Sequence, residues 1–263
     1  EFAASQLVGT TPESPLTAVE SLLPEVHEYA RRITGLHRLR RTFALNAMVA
    51  TDNALWQLHA AERDLHSFDQ LVPEFARSAL GVRQRRLLRL PAITYGFDPE
   101  RLAALAGTGR LLPKIKIGQP GTQPEMLARD CARLAELHGQ LGGAGADYSD
   151  SGRLLYYLDA NGRYESPDTL RRLFDHLDRI GMLERVLLVE EPFPEESQCE
   201  VGDFPATIAA DESLHDVADV RRRIDQGYGA MTLKAAGKTL SMTFAMAAAA
   251  QARRIPALVA DSS

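Results

Sequence analysis

The sequence predicts an α/β protein built on a TIM-type (β/α) barrel, and three observations carry that expectation. From residue 87 onward, seven short apolar strand-like runs are interleaved with helical ones, the pattern of parallel strands joined by outer helices. The conspicuous acidic and basic residues gather at the C-terminal ends of those runs, where barrel enzymes place their sites. The first run ends in Tyr95-Gly96-Phe97-Asp98 and lacks the glycine-rich phosphate turn that usually follows the first strand of a doubly wound sheet, the competing architecture.

In chain order, residues 1–15 are polar and carry Gly9, Pro12 and Pro15, which predicts a loop. Helical periodicity covers 16–33 and 42–62. In the second helix Phe43, Ala47, Ala50, Ala54, Leu55 and Leu58 recur near the helical period and predict the buried stripe, with Trp56 packing beside it. Strands are predicted at 87–95, 112–118, 154–159, 186–190, 206–211, 230–234 and 256–261. The helices between them are predicted at 124–141, 167–180, 216–226 and 239–253. Prolines near the start of the first two suit a helix N-terminus, and Asp211 or Ser213 could cap the helix near Asp216. The chain thus divides into a mainly helical front part, 1–84, and a barrel part, 85–263, that ends at the seventh strand. A full barrel takes about 250 residues, so an eighth strand is expected after Ser263 and further strands before Glu1.

The bulk properties narrow the function classes. The 263 residues are 45% hydrophobic and 25% charged, which is ordinary for a globular protein with a sizeable core. A net charge of −5 argues against a nucleic-acid partner, and the four arginines within 83–89 read as a solvated linker face. Cys131 and Cys199 stand far apart, which suits a reducing compartment better than a disulfide scaffold. No apolar run reaches transmembrane length and the N-terminus lacks the pattern of a signal peptide. The expectation is a cytoplasmic protein with no membrane partner.

The chemistry centres on residues 111–118, LLPKIKIG. On a strand, Lys114 and Lys116 point to one face and Ile115 and Ile117 to the other. Two ammonium groups side by side on a buried strand are costly unless carboxylates face them. Asp159, Glu190 and Asp211 stand at the ends of the next three strands, and Lys234 at the end of the one after. In a closed ring of eight, the strands of Lys116 and Lys234 lie opposite each other with the three carboxylates on the arc between. Three carboxylate oxygen donors suit Mg²⁺. Lysines facing each other across a bound metal suit removal of a proton from the carbon beside a carboxylate, with the metal offsetting the enediolate charge. The base lysine must be neutral to act. Lys114 beside Lys116, the metal and partial burial favour that, while the carboxylates oppose it.

The segments K-I-K-I-G, L-D-A-N-G-R-Y, V-E-E-P-F-P, A-D-E-S and T-L-K, in this order, resemble the enolase superfamily, specifically its mandelate racemase/muconate lactonizing enzyme branch. The lysines on both sides are similar to the muconate lactonizing subgroup. The resemblance implies an enolase-like modified barrel behind an N-terminal α+β capping domain, both incomplete in this chain, with A-L-W-Q-L in the last capping helices. It implies Lys116 and Lys234 as the acid/base pair, Lys114 as the auxiliary lysine, and Asp159, Glu190 and Asp211 as magnesium ligands. The expected enzyme is an isomerase or lyase acting on a small carboxylate substrate, by epimerisation or racemisation, cycloisomerisation or dehydration, and assembled as a homo-oligomer. The text after Lys234, K-A-A-G-K-T-L-S, departs from the usual second lysine and glycine pair.

Each segment also has a plainer reading. D-A-N-G can be an ordinary turn, and Asn161 is either close to the metal or a turn residue. Ser262, with Ser263, could touch substrate or belong to a loop. Strand alternation turns Glu191 and Glu212 away from the site, to stand behind the ligands or on the surface. Lys238 reads as a solvated helix residue, and His215 is given no chemistry. An inactive metal-binding barrel and a metal-dependent aldolase or other lyase are the rival functions. The first would leave buried lysines without use, and the second has no need of a lysine on each side.

Overall fold

The structure is a computed structural model that describes residues 1–81, 88, 90–96, 102, 104, 106, 107 and 109–260. Residues 83–87 and 89 of the arginine run, and the expected substrate contacts Ser262 and Ser263, lie outside the described residues. In chain order the main elements are α1 (Pro15–Thr34), α2 (Arg41–Glu62), β1 (Ala92–Ile93), β2 (Lys114–Lys116), α3 (Gln123–Leu141), β3 (Tyr156–Asp159), α4 (Pro167–Arg179), β4 (Val186–Glu190), β5 (Thr207–Ala210), α5 (Val217–Asp225), β6 (Ala230–Leu233), α6 (Ala235–Lys238), α7 (Leu240–Ala252) and β7 (Ala257–Val259). The strands follow one another in chain order as a seven-stranded sheet, and its ladders are parallel. This is the incomplete TIM-type barrel that the alternation predicts. No helix among the described residues is long and apolar enough to cross a membrane.

The chain folds as two compact units: Gln84–Ser213 with Asp225–Ala230, and Glu1–Arg83 with Leu214–Ile224 and Met231–Ser263. In the first, β3 is buried along its whole length, as expected of a parallel strand covered on both faces. Ile115 and Ile117 are buried on the face of β2 opposite the lysines. Helix α3 covers the sheet with Met126, Leu127, Leu134, Leu137 and Leu141, and α4 with Leu170, Leu173, Phe174 and Leu177. Both helices begin where the prolines predict, α3 after a Thr122–Glu125 capping box and α4 after Ser166.

In the other unit, α2 buries a different stripe from the one predicted. Ala44, Leu45, Met48, Asp52 and Trp56 are inside, whereas Phe43 is 61% and Leu58 56% exposed. The helix is apolar on several faces, and a buried carboxylate decides between them. Asp52 accepts the N–H groups of Leu240 (2.8 Å) and Ser241 (3.1 Å) and the Ser241 hydroxyl (2.5 Å), so it caps α7 from another helix. Trp56 donates to Ser241 Oγ at 2.9 Å and packs edge-on against Phe244. Burial, partly offset by these bonds, raises the Asp52 carboxyl above its ordinary value. Asp52→Ala should cost about 2–4 kcal/mol, because it strands buried donors at a helix end. Urea unfolding of Asp52→Ala beside Asp52→Asn checks this, with the smaller loss expected for asparagine.

Two other expectations change here. Lys238, predicted on a solvated face, is 2% exposed. It closes the four-residue α6, and Thr239 (φ +70°) breaks the chain before α7, which turns this helix end inward. The cap near Asp216 is Asp216 itself, whose Oδ1 accepts Asp219 N–H at 2.9 Å. Asp211 and Ser213 are engaged elsewhere. His215 is buried between Asp219 Oδ2 (2.8 Å) and Thr42 Oγ1 (3.1 Å), and ties α5 to α2.

Candidate active site

The strand register assembles the site. Lys116 pairs with Asp159, Asp159 with Glu190, and Glu190 with Ala209, two residues before Asp211. Residues paired across parallel strands project to the same face, so the lysine strand and the carboxylate strand ends meet side by side.

The ion contacts are close. Lys114 Nζ lies 2.5 Å from Glu190 Oε2 and 3.0 Å from Asp159 Oδ2, and sits over the Tyr157 ring at 5.0 Å. Lys116 Nζ lies 2.5 Å from Asp159 Oδ2 and 2.8 Å from Asn161 Oδ1. Burial alone would lower the Lys114 ammonium, but the Glu190 and Asp159 carboxylates outweigh it and push it up to about 12. Lys114 is therefore a fixed positive charge, not a proton acceptor, at neutral pH.

Glu190 is fully buried. Burial, the Asp211 carboxyl hydrogen-bonded against it, and the charges of Asp159 and Asp211 raise it to about 8, with Lys114 pulling the other way. The rise belongs to the cluster more than to one residue.

Asn161 and Glu212 join the site more directly than strand alternation suggests. Asn161 has a φ of +47°, a left-handed turn that asparagine tolerates. Its N–H donates to Asp159 Oδ1 at 3.2 Å, and its Nδ2 donates to Glu212 Oε1 at 2.8 Å. A chain of contacts thus runs Lys116–Asn161–Glu212. The turn role and the site role of Asn161 coexist. Glu191 also leaves the strand pattern. Its φ is +36°, a conformation that costs a residue with a Cβ about 1–2 kcal/mol, and it is buried with its carboxylate on the β5 end. Alternation does not say what either glutamate holds, because the strands have already ended.

Asp130 belongs to none of the sequence motifs. It is buried on α3, where its Oδ2 accepts Gly118 N–H (2.7 Å) and the Tyr164 hydroxyl (2.8 Å). It holds the turn that ends β2 just after Lys116. Gly118 is required there: φ is +79°, and a Cβ would fall 2.7 Å from Arg163 Cβ. The one signal in the sequence is a lone acid within the apolar stripe Met126–Leu127–Asp130–Leu134. Lys234 stands directly after β6, at the start of α6 in the other compact unit.

Three carboxylates at successive strand ends, one fully buried and raised by its acidic neighbours, form a donor set suited to a hard divalent cation. Among the described residues, no group of three His, Cys, Asp or Glu side chains is drawn round one cation position. The Lys114 ammonium stands against both Asp159 and Glu190 and supplies part of the neutralising charge.

No protein-family model matches the sequence, and no curated protein matches it. Solved structures do match. A mandelate racemase/muconate lactonizing enzyme from Roseiflexus sp. is 23% identical over 66% of this chain and 48% of its own, with a TM-score of 0.55. A muconate lactonizing enzyme is 21% identical over 98% of this chain and 63% of its own, at 0.62. An L-Ala-D/L-Glu epimerase is 21% identical over 97% of this chain and 71% of its own, at 0.54. The chain spans about half the length of the Roseiflexus protein. The barrel with lysines and carboxylates at its strand ends places the chain in the α/β barrel class. Its fold is similar to that of the mandelate racemase/muconate lactonizing enzymes.

Proposed function

We propose that the chain belongs to a magnesium-dependent enzyme of this family that abstracts the α-proton of a small carboxylate substrate and proceeds to epimerisation or racemisation, cycloisomerisation or dehydration. One observation carries the reading: Lys116 lies in register with Asp159 and Glu190 and within contact of Asp159 and Asn161. Asp159, Glu190 and Asp211 would hold Mg²⁺, which when bound offsets negative charge on the substrate carboxylate. Lys116 takes or returns the proton on one face of the α-carbon, and Lys234 acts on the other. Lys114, charged throughout the neutral range, is the fixed cation that draws the substrate carboxylate toward the site. Asn161 orients Lys116 through its amide oxygen, and Glu212 holds the Asn161 amide in that orientation. The neighbour named L-Ala-D/L-Glu epimerase makes dipeptides the first class to screen, with acid sugars and N-acyl amino acids beside them as other small carboxylates that carry an α-proton.

The test follows the α-proton signal of each candidate by NMR in deuterated water, with the full-length protein and Mg²⁺. Exchange of at least one candidate is expected, with loss in chelator and recovery on adding Mg²⁺. Exchange that persists at full rate in chelator would remove the metal from the reading.

A further inference from the structure

Glu191, the second acid of E-E-P, is buried, yet its backbone leaves the strand with a φ of +36°. Its Oε2 accepts the N–H of Asp211 at 2.6 Å, the N–H of Ser213 at 3.3 Å and the Ser213 hydroxyl at 3.0 Å. Its own N–H donates to the Ala209 carbonyl at 2.8 Å, and its carbonyl accepts the N–H of Gly162 at 2.6 Å. One residue therefore binds the ends of β3, β4 and β5. Two consecutive glutamates also engage the same aspartate: Glu190 meets the Asp211 carboxyl, and Glu191 takes the Asp211 amide.

That double hold has a chemical consequence. The direction of an aspartate carboxyl depends on where its main chain is pinned, because only two torsions separate them. The Asp211 amide is pinned by a carboxylate that the left-handed turn directs to β5. A charged acceptor gives shorter and stronger bonds than a neutral one, so the amide and the Ser213 hydroxyl are held together. We infer that Glu191 is a positioning residue that sets the separation of the Glu190 and Asp211 carboxyls for a divalent cation, an inference that rests on the metal reading above. Groups behind metal ligands commonly change affinity by roughly 10–100-fold when removed.

The experiment is Mg²⁺ titration calorimetry of the full-length protein and of Glu191→Gln, with unfolding midpoints measured in chelator. Glutamine keeps the size and can turn its amide oxygen to the three donors that meet Oε2, so the substitution removes the charge that strengthens those bonds. The expected result is Mg²⁺ affinity weakened at least about 10-fold with little change in the chelated midpoint. With Mn²⁺ as the probe, the electron paramagnetic resonance spectrum of the bound ion should change shape in Glu191→Gln, a signature that simple destabilisation would not produce. Equal Mg²⁺ affinity and an unchanged Mn²⁺ spectrum would overturn the inference while leaving the metal reading intact. A wild type that binds no Mg²⁺ would overturn both. If Glu191→Gln does not fold, Ser213→Ala removes one of the three donors and should weaken binding several-fold. No change in that variant would equally refute the positioning role.

Discussion

Lys116→Ala should lower α-proton exchange by about 10²–10⁴-fold, the range that a positioned general acid or base contributes. The substitution leaves the strand in place, since Ile115 and Ile117 anchor β2 from its opposite face. It removes the ammonium group that bridges Asp159 and Asn161. Lys234→Ala is the companion experiment. For an epimerase, Lys116→Ala should abolish exchange from one configuration and Lys234→Ala from the other, with inversion lost in both. For a dehydratase or cycloisomerase, one variant should lose exchange altogether. The other should slow by about 10²–10³-fold, as on removing one electrostatic donor. NMR in deuterated water with each stereoisomer separates these outcomes. Undiminished exchange in both variants would show that neither lysine is the base.

The second large effect concerns Glu190. Burial and the neighbouring Asp211 and Asp159 carboxyls raise it to about 8 in the folded protein, so the folded Glu190–Asp211 pair keeps a proton above the ordinary carboxylate range that the unfolded state has released. Stability should therefore fall as pH rises through this window and level off above it. Lys114 remains charged across the same range, so it does not cancel the trend. Mg²⁺ competes with the proton for these oxygens, so its stabilisation should grow with pH. At 100 times its dissociation constant it should contribute about 2.7 kcal/mol. Thermal unfolding at pH 5.5 and 8.5, with chelator and with Mg²⁺, reads both effects. Glu190→Gln should flatten the pH dependence and lose the Mg²⁺ response together. A wild-type midpoint insensitive to Mg²⁺ at pH 8.5 would count against the donor set.

Much of this site is legible without any knowledge of the fold, for a local reason. A strand alternates its side chains, and a parallel strand in a barrel ends at the functional face. Lys114, Lys116, Asp159 and Glu190 can therefore be grouped from their places near strand ends, and the register sets Lys116 beside Asp159 and Asp159 beside Glu190. The same rule turns Glu191 and Glu212 away from the ligands but does not name what they hold. Both follow the last strand residue, and at Glu191 a left-handed backbone replaces alternation. Asp130 escapes a reading by periodicity because an acid in an apolar stripe weakens the pattern of its helix. Its three acceptor bonds supply the missing reason for burial.

Helix α2 gives the clearest contrast. Periodicity establishes that residues 42–62 form a helix, because backbone hydrogen bonding and spacing are local properties. It cannot decide which face turns inward, since apolar residues occur on several. That choice follows from Asp52 meeting the N-terminus of α7 and from Trp56 meeting Phe244, contacts between segments nearly two hundred positions apart. Sequence alone determined the two long front helices, the parallel alternation and the strand-end lysines and carboxylates, all set by short-range stereochemistry, but not the short helix Phe2–Ser5 within the stretch read as a loop. Tertiary structure decided the buried face of α2, the inward turn of Lys238, and the hold of Glu191 on Asp211. Each of these depends on a partner that only folding brings near, because a buried polar group is stable only where its hydrogen-bond partners converge.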